Sequence, residues 1–232
     1  RVIAALESGW VAPVGPELSG FETDICTITG ARAAVALSSG TAALHLGLKA
    51  IGVKPGDEVI CPTLTFAASA FAIVHAGATP VFLDSEPTSW NLDPALLQSL
   101  LIDRAKHNAL PTAVIVVDLF GHTANYGEIL AVADQFNIPV LVDAAESLGA
   151  QYWDHPAGSM GNAAVFSFNG NKIMTTSGGG MFVSDNEQLV EKVRHWSTQS
   201  REDLQWYEHN EVGFNFRMSN ILAALGRAQL ER

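Results

Sequence analysis

The sequence predicts an α/β fold: a mostly parallel, seven-stranded sheet lying between helices. Three observations predict it. Seven short runs are continuously apolar, as strands buried on both faces are, and not alternating. Most of them are separated by stretches of helical character, the arrangement of a parallel sheet with crossover helices. No linker, repeat or low-complexity segment interrupts the 232 residues, so the chain reads as one domain.

In order along the chain, residues 1–9 are helix-like, and Trp10-Val11-Ala12-Pro13-Val14-Gly15-Pro16 is an extended loop punctuated by Pro and Gly. Residues 17–30 read as a second helix and 33–37 as the first strand. Ser38-Ser39-Gly40-Thr41 follows at once, and then a helix over 42–51. Strand, small polar turn and helix is the arrangement that points backbone N–H groups at an anion. Thr41 can cap the helix and donate to a phosphate. His45, inside this helix, reads as packing. The pattern then repeats in kind: strand 58–62, helix 67–76, strand 80–84, helix 94–101, strand 113–117, helix 127–136 and strand 139–143. Strands 163–168 and 180–184 complete the set. A helix begins over 187–196, and 197–215 reads as a long polar and aromatic loop. The end, 223–232, reads as an unfinished helix and the chain has no initiator Met, so a fragment of a longer protein is expected.

The formal charge of −11 argues against nucleic acid or an anionic membrane as partner. Any bound phosphate must rely on local amides and a few basic groups. Cys26 and Cys61 form neither a metal nor a redox spacing, which fits a reducing, cytoplasmic setting. No apolar run approaches the roughly 20 residues of a membrane helix, and no signal-peptide pattern is visible.

Lys172 is the residue around which the chemistry gathers. It follows the strand ending at Phe168, in Asn169-Gly170-Asn171-Lys172, and a Gly run, Gly178-Gly179-Gly180, comes after it. That places it at the strand C-terminal edge, where open α/β sheets bind ligands. A partly desolvated lysine can lose its proton and attack an aldehyde; taken alone, a loop lysine is more often solvated. Asp143 ends another strand at the same edge, Phe66 follows a third in Thr65-Phe66-Ala67, and Ser167 lies just before the Lys172 loop. An isolated Asp there is more often a loop cap, and an isolated Phe more often core. Together, an amine, a buried acid, an aromatic plate and an anion cradle match the demands of pyridoxal 5'-phosphate. No G-x-G-x-x-G follows a strand, and Gly170-Asn171-Lys172 lacks the spacing of a P-loop.

Ser39-Gly40-Thr41, Thr65-Phe66, Asp143-Ala144-Ala145-Glu146, the Ser167 and Lys172 pair, and Gly213-Phe214-Asn215-Phe216-Arg217-Met218-Ser219-Asn220 occur in this order over essentially the whole chain. In this the sequence resembles the StrS/DegT family of PLP-dependent nucleotide-sugar aminotransferases, of the aspartate aminotransferase-like fold type I. The resemblance implies that residues 1–232 form the cofactor-binding large domain, with a small C-terminal domain outside this chain. It implies that Lys172 condenses with the cofactor's aldehyde, that Asp143 pairs with its pyridine nitrogen and that Phe66 stacks on its ring. Gly40, Thr41 and Ser167 would bind its phosphate. Asn215 and Arg217 would reach the phosphate of the neighbouring subunit, so that a homodimer shares its active sites. Glu146, near the cofactor's phenolic oxygen, stands where many members carry Gln or His.

The resemblance is closest to members that aminate the 4-keto group of a UDP-2-acetamido-2,6-dideoxy-hexulose. It rests there on residues 173–180, on Ser197-Thr198-Gln199-Ser200-Arg201-Glu202-Asp203 and on Tyr207-Glu208-His209. L-Glutamate is the implied amino donor. Another nucleotide-linked ketosugar, dTDP-linked or 3-keto, is the alternative substrate. Relatives that use the cofactor for dehydration lack the lysine, and a PLP-binding regulatory domain would not need Lys172 and Asp143 together. Arg201, Trp206 and Tyr207 are expected to read the sugar nucleotide, through charge and flat faces.

Overall fold

The computed structural model describes residues 1–231. Helices α1 (Val2–Glu7) and α2 (Pro16–Thr29) precede strand β1 (Ala33–Leu37). Then come α3 (Gly40–Ala50), β2 (Glu58–Pro62), α4 (Ala68–His75), β3 (Thr79–Leu83), α5 (Pro94–Lys106), β4 (Ala113–Val117), α6 (Tyr126–Gln135) and β5 (Val140–Asp143). A two-stranded ribbon, β6 (Gln151–Tyr152) and β7 (His155–Pro156), leads into β8 (Ala163–Ser167), β9 (Gly180–Ser184), α7 (Glu187–Ser197) and α8 (Asn220–Leu230).

The seven long strands form one sheet in the order β1-β9-β8-β5-β4-β2-β3. Strands β3, β2, β4, β5 and β8 pair parallel, whereas β9 runs antiparallel to both β8 and β1. The sheet is buried on both faces, and period-two geometry divides each strand between them. In β4, Val114 and Val116 join the core under α2, α5, α6 and α8; Ala113, Ile115 and Val117 join the core under α3, α4 and α7. All five β4 residues are therefore buried, which is why the run reads as continuously apolar.

The caps explain several helix starts. Ser39 caps α3 by accepting from Ala42 N at 3.0 Å, and Asp93 caps α5 by accepting from Ala95 N at 2.7 Å. Helix α5 runs a full turn beyond the expected 94–101. Its added residues, including Asp103 and Arg104, continue the solvent face, and Arg104 pairs with Glu58 at 3.1 Å. The expected loop 197–215 is an excursion closed at its base by a Thr198–Asn215 bridge and higher up by an Arg201–His209 bridge. The ribbon β6–β7 carries too few residues to show a period and escaped the sequence reading. Expected helix 223–232 begins earlier, at Asn220, with Ser219 as its cap; residue 232 lies outside the described residues.

Candidate active site

The C-terminal ends of β1, β2, β4, β5 and β8 frame a cavity of about 560 Å³. Ser39, Gly40, Thr41, Phe66, Asp143, Glu146, Ser167 and Lys172 all line it. Residues spread over more than 130 positions of sequence are thus gathered by one sheet edge, as parallel topology requires.

The turn after β1 is built by close backbone approach. Ser167, ending β8, pairs with Gly180, starting β9, which in turn pairs with Leu37 of β1. A Cβ on Gly180 would stand 2.4 Å from the Ser39 carbonyl carbon, and one on Gly40 would stand 2.9 Å from Ser167 Cβ. Only glycine lets these three strand ends meet. The first amides of α3 have no acceptor within the helix; Ala42 N is taken by the Ser39 cap, and Gly40 and Thr41 line the cavity with Ser167. This is an anion cradle made of backbone, as the acidic composition demands.

Lys172 sits on a loop tied at both ends. Its N–H donates to Asn169 O at 3.0 Å, Thr176 N donates to Phe168 O at 3.0 Å, and Gln229 of α8 both donates to and accepts from the Thr175 backbone. The Lys172 side chain is 11% exposed, and its Nζ donates to Glu146 Oε1 at 3.0 Å. Glu146 Oε2 accepts from Phe120 N at 2.9 Å. Phe120 takes a left-handed backbone (φ 53°, ψ 24°) in a 3-10 turn after β4, and this aims its N–H at the carboxylate. The Phe66 ring centroid is 5.9 Å from Lys172 Nζ, and the ring is three-quarters exposed on the cavity rim.

Asp143 is buried at the end of β5. Ser69 Oγ donates to its Oδ2 at 2.7 Å and Ala145 N to its Oδ1 at 3.2 Å. Burial pushes its carboxyl above the ordinary carboxylate range, opposed by the Ser69 and Ala145 hydrogen bonds and by the Lys172 charge. Asp118, one residue past β4, is a second buried acid of the same cavity, unremarked in the sequence reading. Its Oδ1 accepts from Tyr126 OH at 2.6 Å and Ala124 N at 3.1 Å, and its Oδ2 from Ser147 Oγ at 2.7 Å. Burial raises its carboxyl as well. Its place after an apolar strand was the available signal, the same one that marked Asp143.

Arg217 is engaged within its own chain. It lies outside the cavity lining, and its guanidinium donates to Glu22 Oε1 at 2.7 Å and to Ala36 O at 2.8 Å within its own chain. Arg194 binds the same Glu22 carboxylate. Carboxylate and carbonyl thus hold Arg217 as a brace for β1. Asn215 is exposed, accepting from Gln199 Nε2 at 2.9 Å, and is also outside the cavity lining. Arg201 stacks on the Tyr207 ring at 4.2 Å and Trp206 Nε1 donates to Glu208; all three lie on the exposed excursion and not in the cavity wall.

A sequence profile of the DegT/DnrJ/EryC1/StrS aminotransferase family matches residues 1–232. The chain belongs to this family. Among curated relatives, EpsN of Bacillus subtilis (strain 168), named for a pyridoxal phosphate-dependent aminotransferase, is 48% identical over 98% of this chain and 58% of its own length. The GDP-perosamine synthase of Caulobacter vibrioides (strain ATCC 19089 / CIP 103742 / CB 15) is 43% identical over 100% of this chain and 61% of its own. Among solved structures, the PLP form of Spr1654 from Streptococcus pneumoniae, named for a sugar aminotransferase, superposes with a TM-score of 0.89 at 30% identity, over 100% of this chain and 62% of that one. The chain therefore spans about three fifths of the length of the curated relatives it matches.

The DegT/DnrJ/EryC1/StrS cavity built here has the donor set that pyridoxal phosphate requires. It offers an amine on a loop, a buried carboxylate, an aromatic wall and a helix N-terminus whose approach glycine keeps open. Among the described residues no cluster suits a metal ion and no helix is long and apolar enough to cross a membrane.

Proposed function

We propose that the protein is a pyridoxal phosphate-dependent aminotransferase that passes an amino group from L-glutamate to the 4-keto carbon of a UDP-linked 2-acetamido-2,6-dideoxy-hexulose. The observation that carries this reading is the convergence of Lys172, Asp143 and the Ser39–Thr41 turn on one cavity. In this reading residues 1–232 are the cofactor-binding large domain of a cytoplasmic enzyme, and the free thiols of Cys26 and Cys61 accord with that setting. The active form is a homodimer, with exposed Asn215 contributing across the interface; exposed Phe71 and Val74 on α4 and the Phe66 rim offer it apolar surface.

Pyridoxal phosphate, when bound, supplies an aldehyde that condenses with amines and a protonated ring that accepts the electron pair left by a departing proton. Lys172 lends the amine that holds the cofactor in the resting enzyme. With the cofactor bound, Lys172 Nζ would move a proton from the donor's α-carbon to the cofactor's aldehyde carbon, and in the second half-reaction it would move a proton from that carbon to C4 of the sugar. Asp143 holds the proton on the ring nitrogen. Glu146, fixed by Phe120 N, gives the lysine ammonium a partner while it is free. Gly40, Thr41 and Ser167 bind the phosphate, and Phe66 walls the ring.

The sugar assignment is supported by the likeness of residues 173–180, 197–203 and 207–209 to the 4-aminating members. The 43% identity to a GDP-perosamine synthase favours a second reading, a ketosugar carried on another nucleotide. The test is the visible absorption of the holoenzyme, followed first with L-glutamate and then with candidate ketosugars. Loss of the cofactor's absorption with glutamate and its return with the UDP-4-ketosugar supports the first reading. Return only with a GDP- or dTDP-linked ketosugar selects the second, and no response to any amino donor overturns the aminotransferase.

A further inference from the structure

We propose that Ser69 is a positioning residue for Asp143, and that the hydroxyl pair Thr65–Ser69 fixes this carboxylate in its anionic form, aimed at the ring nitrogen of the cofactor. The proposal deepens the reading of Asp143 given above and rests on it.

The chain's entry into α4 brings the pair to the acid. Thr65 lies in the bend before α4 and Ser69 in its first turn, and the path of the chain between them sets one hydroxyl against the other. Ser69 is fully buried, and its Oγ lies 2.7 Å from Asp143 Oδ2 and 2.8 Å from Thr65 Oγ1. Its other acceptor, Phe66 O, is 3.4 Å away. A hydroxyl has one proton to give. At 2.7 Å from a carboxylate, and with the carbonyl much farther off, that proton goes to Asp143. Thr65 is then the donor to Ser69, and the chain Thr65 to Ser69 to Asp143 is polarised in one direction, each bond strengthening the next. The main-chain donor on the opposite oxygen, Ala145 N, is longer at 3.2 Å. Ser69 is therefore the shorter of the two hydrogen bonds that the carboxylate accepts.

The acid needs this support because its surroundings oppose its charge. Asp143 is 5% exposed, and the Asp118 carboxylate nearby is also buried. The Lys172 ammonium favours the charge, but that amine leaves for the cofactor in the resting enzyme. A carboxyl that had taken up a proton could not hold the proton of the ring nitrogen. The side-chain donor that stays in place through the reaction is Ser69, and its bond is shorter than that of the main-chain donor Ala145 N. The same short segment also carries Phe66, so one helix entry sets both the wall of the ring and the acid at its nitrogen.

The test loads the enzyme with pyridoxal phosphate labelled with 15N in the ring and reads the 15N chemical shift together with the cofactor's dissociation constant. The parent and Ser69→Thr, which keeps the hydroxyl, are expected to show the shift of a protonated ring nitrogen. Ser69→Ala is expected to move the shift toward that of neutral pyridine and to weaken cofactor retention by about tenfold, the scale of one hydrogen bond to a charged group. Ser69→Cys, similar in size but a far weaker donor, carries the same expectation should the alanine variant fold poorly. Asp143→Asn separates the two readings. A parent-like shift and affinity in Ser69→Ala or Ser69→Cys, with a displaced shift in Asp143→Asn, overturns the role of Ser69 alone. An unchanged shift in Asp143→Asn overturns the role of Asp143 itself. Failure of Ser69→Thr to restore the shift shows a packing role and likewise overturns the proposal.

Discussion

Lys172 Nζ and Glu146 Oε1 stand 3.0 Å apart at the mouth of the cavity, and only the lysine is free to leave the pair. Glu146 is anchored from behind by Phe120 N, whereas Lys172 hangs on a four-carbon stem. The pair is thus a resting place for the amine that still allows it to turn inward. Lys172→Ala should retain pyridoxal phosphate through the cradle and the ring contacts, yet lose turnover by at least about 100-fold, the lower end of what a positioned acid–base group contributes. Borohydride reduction followed by peptide mapping should mark Lys172 in the parent and nothing in the variant. Near-parental turnover in Lys172→Ala would remove the central residue of the mechanism.

Asp143 gives a prediction in which function and stability move in opposite directions. Burial raises its carboxyl, so the folded chain holds that proton to higher pH than the unfolded chain does. Such a group contributes stability that is complete below the ordinary Asp value, about 3.9, and is lost as pH rises through the raised one. An amide does not titrate. In the cofactor-free protein the melting temperature of the parent should therefore fall relative to that of Asp143→Asn as pH rises from about 4 toward neutrality. The same substitution should slow turnover. Parallel melting curves across that range would show that the carboxyl titrates normally.

Glu22 carries more than its helical position suggests. It accepts from Ala36 N at 2.8 Å and from the guanidinium groups of Arg194 and Arg217, tying α2, β1, α7 and the segment before α8 together. Arg217 and Glu22 are nearly buried, at 9% and 12% exposure of their side chains. Removing one partner of such a pair leaves charge stranded. Glu22→Gln should cost about 3 kcal/mol in urea unfolding, the low end for a buried pair because Arg194 is partly solvated. Replacing Glu231, whose pairing with Arg1 is exposed, should leave the urea midpoint close to that of the parent. Equal costs would mean that the Glu22 cluster is no better organised than a surface pair.

The pairing of Arg217 with Glu22, beside the placing of Lys172, shows what the sequence could and could not carry. Strand-end position was legible, because continuous apolar runs such as Ala113-Val114-Ile115-Val116-Val117 mark buried parallel strands, and whatever polar residue follows them must face the ligand edge. That rule brought Lys172, Asp143, Ser167, Phe66 and the Ser39–Thr41 turn to one cavity. Arg217 stands on no such strand end. Its direction is decided by Glu22, nearly 200 positions away, and no local pattern encodes that partner. Ser69 was missed for a related reason: a serine in an apolar helix looks ordinary until tertiary structure supplies Asp143, whereas Asp118 follows a legible strand end and the same rule reaches it. The antiparallel run of β9 was equally hidden, since both its neighbours are set by pairing and not by composition.

The glycines of the cradle allow sterics and helix propensity to be set against each other. Gly40 opens α3, where alanine would ordinarily favour a helix by about 0.5–1 kcal/mol. Here the new methyl would meet Ser167 Cβ at 2.9 Å and Oγ at 3.3 Å. The helix start and the serine must part by a few tenths of an ångström. Gly40→Ala should therefore melt close to the parent, the two effects offsetting, while its cofactor dissociation constant rises about tenfold as one phosphate contact is displaced. Gly180→Ala has no such escape. Its methyl would stand 2.4 Å from the Ser39 carbonyl carbon and 2.5 Å from Gly40 N, and backbone cannot rotate aside as a side chain can. A cost above the about 1–3 kcal/mol of ordinary overpacking is expected, read as a large fall in melting temperature. Pyridoxal phosphate titrations of both variants, beside their melting curves, separate the outcomes: unchanged affinity in Gly40→Ala would detach the turn after β1 from the phosphate, and a stable Gly180→Ala would mean that these strand ends meet less closely than the geometry requires.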